Sequence, residues 1–101
     1  MQLWLKGYRL LAERYKCPVG EIDLVMGKLG QVIFVEVKLR KDLVGAAEAI
    51  TQRQQARVIR AAQHWLMENP NYSDYDLRFD AVLVAKGAIP RVQHIKNAWQ
   101  T

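Results

Sequence analysis

The chain has almost no cysteine: Cys17 is the only one in 101 residues. No intrachain disulfide can form, so the fold must hold without a covalent cross-link, and a reducing cytoplasm is the expected setting. Long hydrophobic runs are also absent. A bilayer-spanning helix needs about 20 apolar residues, whereas the opening MQLWLKGYRLL is broken by Lys6, Gly7 and Arg9. No signal-peptide cleavage site follows it, so a soluble, untargeted protein without a membrane partner is expected. There is no Gly-rich phosphate loop and no nucleophile elbow, which excludes P-loop nucleotide hydrolases and serine hydrolases. The two histidines, His64 and His94, have no paired spacing and no cysteine pair beside them, so zinc is not expected. Low-complexity segments and repeats are missing too.

What is present suits one globular domain spanning residues 1–101. The apolar fraction is 50%, with three Trp, four Tyr and two Phe, enough for a single modest core. Fifteen Lys and Arg against ten Asp and Glu leave a formal charge of +5, which favours a polyanionic partner by long-range attraction.

The periodicities predict strands first and a long helix after them. Residues 1–6 read as the last turn of a helix stopped by Gly7, followed by an irregular strand over 8–15. A turn at 17–20 leads into GEIDLVM, whose two-residue alternation predicts a strand over 21–26. Residues 27–30 read as a tight reversal and 32–40 as a strongly β-prone strand, so 21–40 forms a hairpin. From 46 to 68 the spacing turns helical, with Val58, Ile59, Ala62, Trp65 and Leu66 three and four apart, and Asn69 and Pro70 close the helix. A polar loop, the strand RFDAVLVAK and a short strand over 89–96 complete the chain. The order implies a mixed sheet with the long helix as a crossover on one face.

The hairpin carries charge where strands meet. Alternation assigns Ile22 and Leu24 to one face with Glu21 and Asp23 on the other, and sets Val35 and Val37 opposite Glu36 and Lys38. Burying the aliphatic face selects the register that gathers Asp23, Glu36 and Lys38. Carboxylates so placed repel each other, and a divalent cation held by oxygens would relieve the repulsion. Mg²⁺ or Mn²⁺ on Asp23 and Glu36, with Lys38 orienting a water, would make a phosphodiester-cleaving set. A plain salt bridge on a solvated sheet face fits the bare triad equally well.

On the long helix Arg53, Arg57, Arg60 and His64 are spaced four, three and four apart, which aligns them along one face. That face is either a phosphate-contacting stripe, with Arg40 at the hairpin's end joining it, or a solvated surface. Gln54 and Gln55 flank it; one of them either supports the metal site or holds a water, or each is a plain helix-surface glutamine. Asp80, in RFDAVLV, is read as structural.

GEIDLV, FVEVKLR, the Gln/Arg-rich helix with its AA pair, and RFDAVLV together resemble the bacterial YraN family, also called UPF0102. That family looks like a branch of the PD-(D/E)xK nucleases, akin to archaeal Holliday-junction resolvases. The resemblance implies an α/β, restriction-endonuclease-like mixed sheet with a long crossover helix after the catalytic hairpin. It casts Asp23 as the motif aspartate, Glu36 and Lys38 as the E-x-K pair, and Gln54 where family members usually carry a lysine. The usual N-terminal glutamate has no counterpart here. The implied activity is metal-dependent cleavage of DNA, branched DNA included, by a homodimer. The alternative is a nucleic-acid-binding module that keeps the fold without cleaving.

Overall fold

A computed structural model describes residues 7–100; the helical turn expected over 1–6 lies outside them. Three strands come first, β1 (Arg9–Cys17), β2 (Gly20–Lys28) and β3 (Gln31–Arg40). Helices α1 (Leu43–Glu48) and α2 (Gln52–Glu68) follow, then a 3₁₀ turn at Pro70–Tyr72, β4 (Asp76–Ala85) and β5 (Arg91–Trp99). The five strands form one sheet in sequential order, antiparallel throughout except for the parallel β3–β4 pair. A parallel pair cannot be joined by a tight turn, and α1 and α2 supply the crossover. The result is a mixed α/β domain.

The central strand explains the layering. In β3, Val32 to Glu36 are all buried, as expected of a strand covered on both faces. Val32 and Phe34 join Ile22, Val25, Val58, Ala61, Ala62 and Trp65 in the core beneath the helices. Ile33 and Val35 pack with Met26 and Val82 on the opposite face. Within α2 the buried residues are Val58, Ala61, Ala62 and Trp65, a stripe at helical spacing that faces the sheet.

Local chemistry moves several of the expected boundaries. The expected reversal over 27–30 narrows to Leu29 and Gly30, both at positive φ (22° and 78°), as a two-residue hairpin turn requires. The single helix expected over 46–68 is two helices. Thr51 interrupts it by turning its hydroxyl onto the Gln54 N–H at 3.2 Å, and Asp42 caps α1 through the Gly45 N–H at 2.7 Å. The Ala- and Gln-rich composition on both sides conceals that break from a periodicity count. Gly20 lets α2 lie close on β2, since a Cβ there would sit 2.6 Å from the Arg57 carbonyl oxygen.

Candidate functional site

β2 changes faces at Asp23. Ile22 and Val25 both belong to the core under the helices, while Leu24 and Met26 contact the opposite face. The expectation that Ile22 and Leu24 share a face is therefore corrected. The physical reason lies in the ladder, which runs from Lys28↔Gln31 to Leu24↔Val35 and stops there. At the next position the Asp23 carboxylate takes over, its Oδ2 accepting the Val37 N–H at 2.7 Å. Across from it in β1, Arg14 lies between the Glu13↔Leu24 and Tyr15↔Ile22 pairs with φ of 50°. A side chain has replaced a backbone hydrogen bond, and the strand resumes on the other face.

Asp23 and Glu36 still meet, through this opening and not through regular pairing. Glu36 is only 2% exposed, on the helix side of β3. Its Oε2 accepts from Gln54 Nε2 at 2.5 Å and lies 3.9 Å from Lys38 Nζ. Burial pushes the Glu36 pKa up to about 8, and the hydrogen bond with Asp23 and the Asp23 charge add to the rise, while Gln54 and Lys38 pull against it. Two acids, a lysine and a glutamine from three elements thus converge at the start of α2.

The donor chemistry fits a hard divalent ion. Asp23 commits Oδ2 to Val37 and Glu36 commits Oε2 to Gln54 and Lys38, and the two carboxyls also share a hydrogen bond that a bound ion would replace. Mg²⁺ is commonly held by one or two carboxylates with waters completing its shell. Among the described residues no third His, Cys, Asp or Glu joins them in a metal-ligating group. Glu21, which the sequence grouped with these charges, is exposed and pairs in register with Lys16 on β1.

The basic residues divide. Arg53, Arg57 and Arg60 are exposed on α2, away from its buried stripe. His64 departs from that line, being half-buried with Nδ1 2.7 Å from the Tyr15 hydroxyl. The same hydroxyl donates to Glu68 at 2.6 Å, and burial together with Glu68 raises the Tyr15 pKa above its ordinary value. His64 therefore helps tie α2 to β1 and does not extend the arginine stripe. Arg40 is exposed at the end of β3 and donates to the Leu39 carbonyl at 2.8 Å. Gln55 donates weakly to the Ile50 carbonyl at 3.5 Å and bridges the two helices, leaving Gln54 as the glutamine at the site.

Asp80 is a structural residue on the other face. Fully buried, it accepts from Arg78 Nε at 2.8 Å and Nη2 at 2.9 Å, contacts His94 Nε2 at 2.8 Å, and accepts the Asn97 N–H at 2.9 Å. Arg78 gains a raised pKa chiefly from that hydrogen bonding. The Arg-x-Asp spacing was visible in the sequence, but its partners on β5 were not, because a β-bulge between Phe79 and Ala81 sets that register.

The model of an uncharacterised protein family, UPF0102, matches residues 2–84. The chain belongs to the UPF0102 family. A UPF0102 protein of Bradyrhizobium sp. strain ORS 278 is 57% identical over 86 residues, covering 85% of this chain and 61% of the relative. Its counterpart in Rhodopseudomonas palustris strain HaA2 is 53% identical over 97 residues, 96% of this chain and 74% of the relative. One from Nitrobacter winogradskyi is 50% identical over 94 residues, 93% and 78% of the two chains. The chain thus spans about three fifths to four fifths of the length of these relatives. Among the described residues no helix is long and apolar enough to cross a membrane.

Proposed function

We propose that this UPF0102 domain is a restriction-endonuclease-like, Mg²⁺- or Mn²⁺-dependent DNA endonuclease. The observation that carries the reading is the apposition of the half-buried Asp23 to the buried Glu36, with the Glu36 pKa pushed up to about 8 and Lys38 Nζ 3.9 Å away. A pair of acids held this close at neutral pH binds either a proton or a cation. The metal, when bound, would supply Lewis-acid activation of a water and of the scissile phosphate.

The protein's own residues have distinct tasks in this reading. Asp23 and Glu36 ligate the ion, and the Val37 N–H fixes the Asp23 carboxylate. Gln54 orients Glu36 from the first turn of α2. Lys38 carries positive charge to where a pentacovalent phosphate would develop its negative charge. Arg53, Arg57, Arg60 and Arg40 contact the phosphate backbone of DNA. Branched DNA suits a two-fold homodimer, since a junction offers two symmetric strands, and a cytoplasmic setting accompanies such a substrate.

A DNA-binding module without cleavage is the second reading. One specific observation favours it: among the described residues no third acid joins Asp23 and Glu36, and one Glu36 oxygen is already held by Gln54 and Lys38. Metal-dependent nicking of four-way junctions, flaps and single strands separates the two. Lys38→Ala is expected to leave fold and metal binding intact while lowering turnover about a hundredfold or more. Glu36→Gln is expected to abolish both metal binding and cleavage. Absence of cleavage by the wild type on every substrate, with DNA binding intact, leaves the binding module.

A further inference from the structure

A second site lies toward the far end of α2, on the same side of the sheet as the carboxylates. A groove of about 380 Å³ opens between the β2–β3 turn, the start of β1 and the loop after the 3₁₀ turn. Its lining combines two cations, Arg9 and Lys28, two aromatic rings, Tyr72 and Tyr75, and the apolar tip residue Leu29.

Each part is held in place. Tyr75 packs edge-on to Tyr72 at 5.0 Å between ring centroids, and Tyr72 rests on the buried Trp65 at 5.4 Å. The contacts continue inward through Phe34, Phe79 and Trp99, so the aromatic shelf of the groove is anchored to the core. Lys28 Nζ lies 4.7 Å from the centre of the Tyr8 ring, which limits where its charge can go. Leu29 is 96% exposed and adopts φ of 22°, a backbone conformation that side-chain-bearing residues rarely take. The hairpin turn sets that backbone, and it leaves an exposed leucine side chain at the lip of an aromatic and basic groove. Asp74 in the preceding loop and Asp76 at the start of β4 do not line the groove.

From these features we infer that the groove binds one unpaired nucleotide of a DNA strand. The base stacks on the exposed Tyr75 ring, which Tyr72 buttresses edge-on, with Leu29 as the opposing wedge, and Arg9 and Lys28 hold the flanking phosphate. Aromatic rings take any base because every base has a π-face, and the cations track the backbone. Gln54, at the carboxylate pair, and Trp65, under the shelf, are eleven residues apart on α2. At about 1.5 Å per residue that is roughly 17 Å, or about five stacked nucleotides, to Trp65, and the groove's own rings follow at 5.4 Å (Tyr72) and a further 5.0 Å (Tyr75). The groove would therefore select DNA with a single-stranded segment about five or more nucleotides from the carboxylates. This specificity rests on the DNA-processing reading above, but stacking needs neither the metal nor cleavage.

The test uses the full chain in EDTA, with fluorescence anisotropy on a blunt duplex and on the same duplex carrying a six-nucleotide single-stranded overhang. Wild type is expected to bind the overhang more tightly. Tyr75→Leu should lose about tenfold or more of that affinity while leaving the blunt duplex unaffected, and Tyr75→Phe should retain it. Arg9→Ala should weaken overhang binding and lower its salt dependence by about one phosphate contact. Thermal melting of each variant separates lost stacking from lost fold. Competition by millimolar dAMP but not by inorganic phosphate assigns recognition to the base. Equal affinity of wild type for both DNAs, equal loss on both in Tyr75→Leu, or displacement by phosphate alone overturns the inference. Failure of the nicking assay with the overhang preference intact removes the nuclease reading and leaves the groove.

Discussion

Glu36 keeps its proton far above the pH at which a solvated carboxyl loses it. Its pKa rises from the ordinary 4.5 to about 8, first because it is buried and then because Asp23 faces it. A raised pKa means that folding favours the protonated form, so the associated stability is complete below about pH 4.5 and is lost as the pH climbs through 8. Metal-free melting temperature is therefore expected to fall by about 5 °C or more across that window. Glu36→Gln, which holds a neutral group at the site at every pH, should flatten the fall. Millimolar Mg²⁺ should raise the midpoint at pH 8, where the site is losing its proton, and far less at pH 5. A pH profile identical in wild type and Glu36→Gln would assign the titration elsewhere. The E-x-K spacing made Glu36 and Lys38 legible as candidates. Its burial was not legible, because burial depends on α2 lying over β3.

At the scale of elements, the site depends on how closely α2 approaches β2. The sequence foretold the helix from its spacing but not the approach, which rests on a glycine that reads in one dimension as a turn residue. A Cβ at position 20 would meet the Arg57 backbone oxygen at 2.6 Å, and a backbone carbonyl cannot move aside as a side chain can. Gly20→Ala is expected to destabilise the domain by about 1–3 kcal/mol, the usual range for overpacking, measured by urea unfolding. By pushing α2 away it should also loosen Gln54 from Glu36, so the Mg²⁺-dependent rise in melting temperature should shrink as well. Unchanged stability would mean that α2 has room to rotate, and the close approach would not matter. The face change in β2 belongs to the same scale. Strict alternation cannot anticipate an aspartate that replaces the ladder with its own side chain, since GEIDLV also fits an unbroken strand.

For the whole molecule, the formal charge of +5 takes on a location. Arg53, Arg57 and Arg60 stand exposed along α2, Arg53 beside the carboxylate end and Arg57 and Arg60 on the way toward the aromatic groove. A DNA strand running beside the helix would meet all three features in turn. Replacing the three arginines by alanine is expected to weaken binding to every DNA sequence alike. It should also flatten the slope of log affinity against log salt by about three units, one per lost phosphate contact. Titrations at several salt concentrations decide it, and an unchanged slope would exclude this face as the DNA path.

The sequence by itself determined the family, the α/β class, the order of the central elements and the identity of the candidate acids. The family follows from the resemblance of its motifs; the rest follows from local spacing, since residues within one strand or one helical turn report on each other directly. Only the tertiary structure decided which charges are buried and which acid faces which. It broke the long helix at Thr51, turned β2 over at Asp23, drew His64 away from the arginines and onto Tyr15, and built a cradle of three residues around Asp80. It also assembled the aromatic groove from three segments that lie far apart in the chain. Such contacts are chosen by the competition among all faces for a single core, and that competition exists only once the chain has folded onto itself.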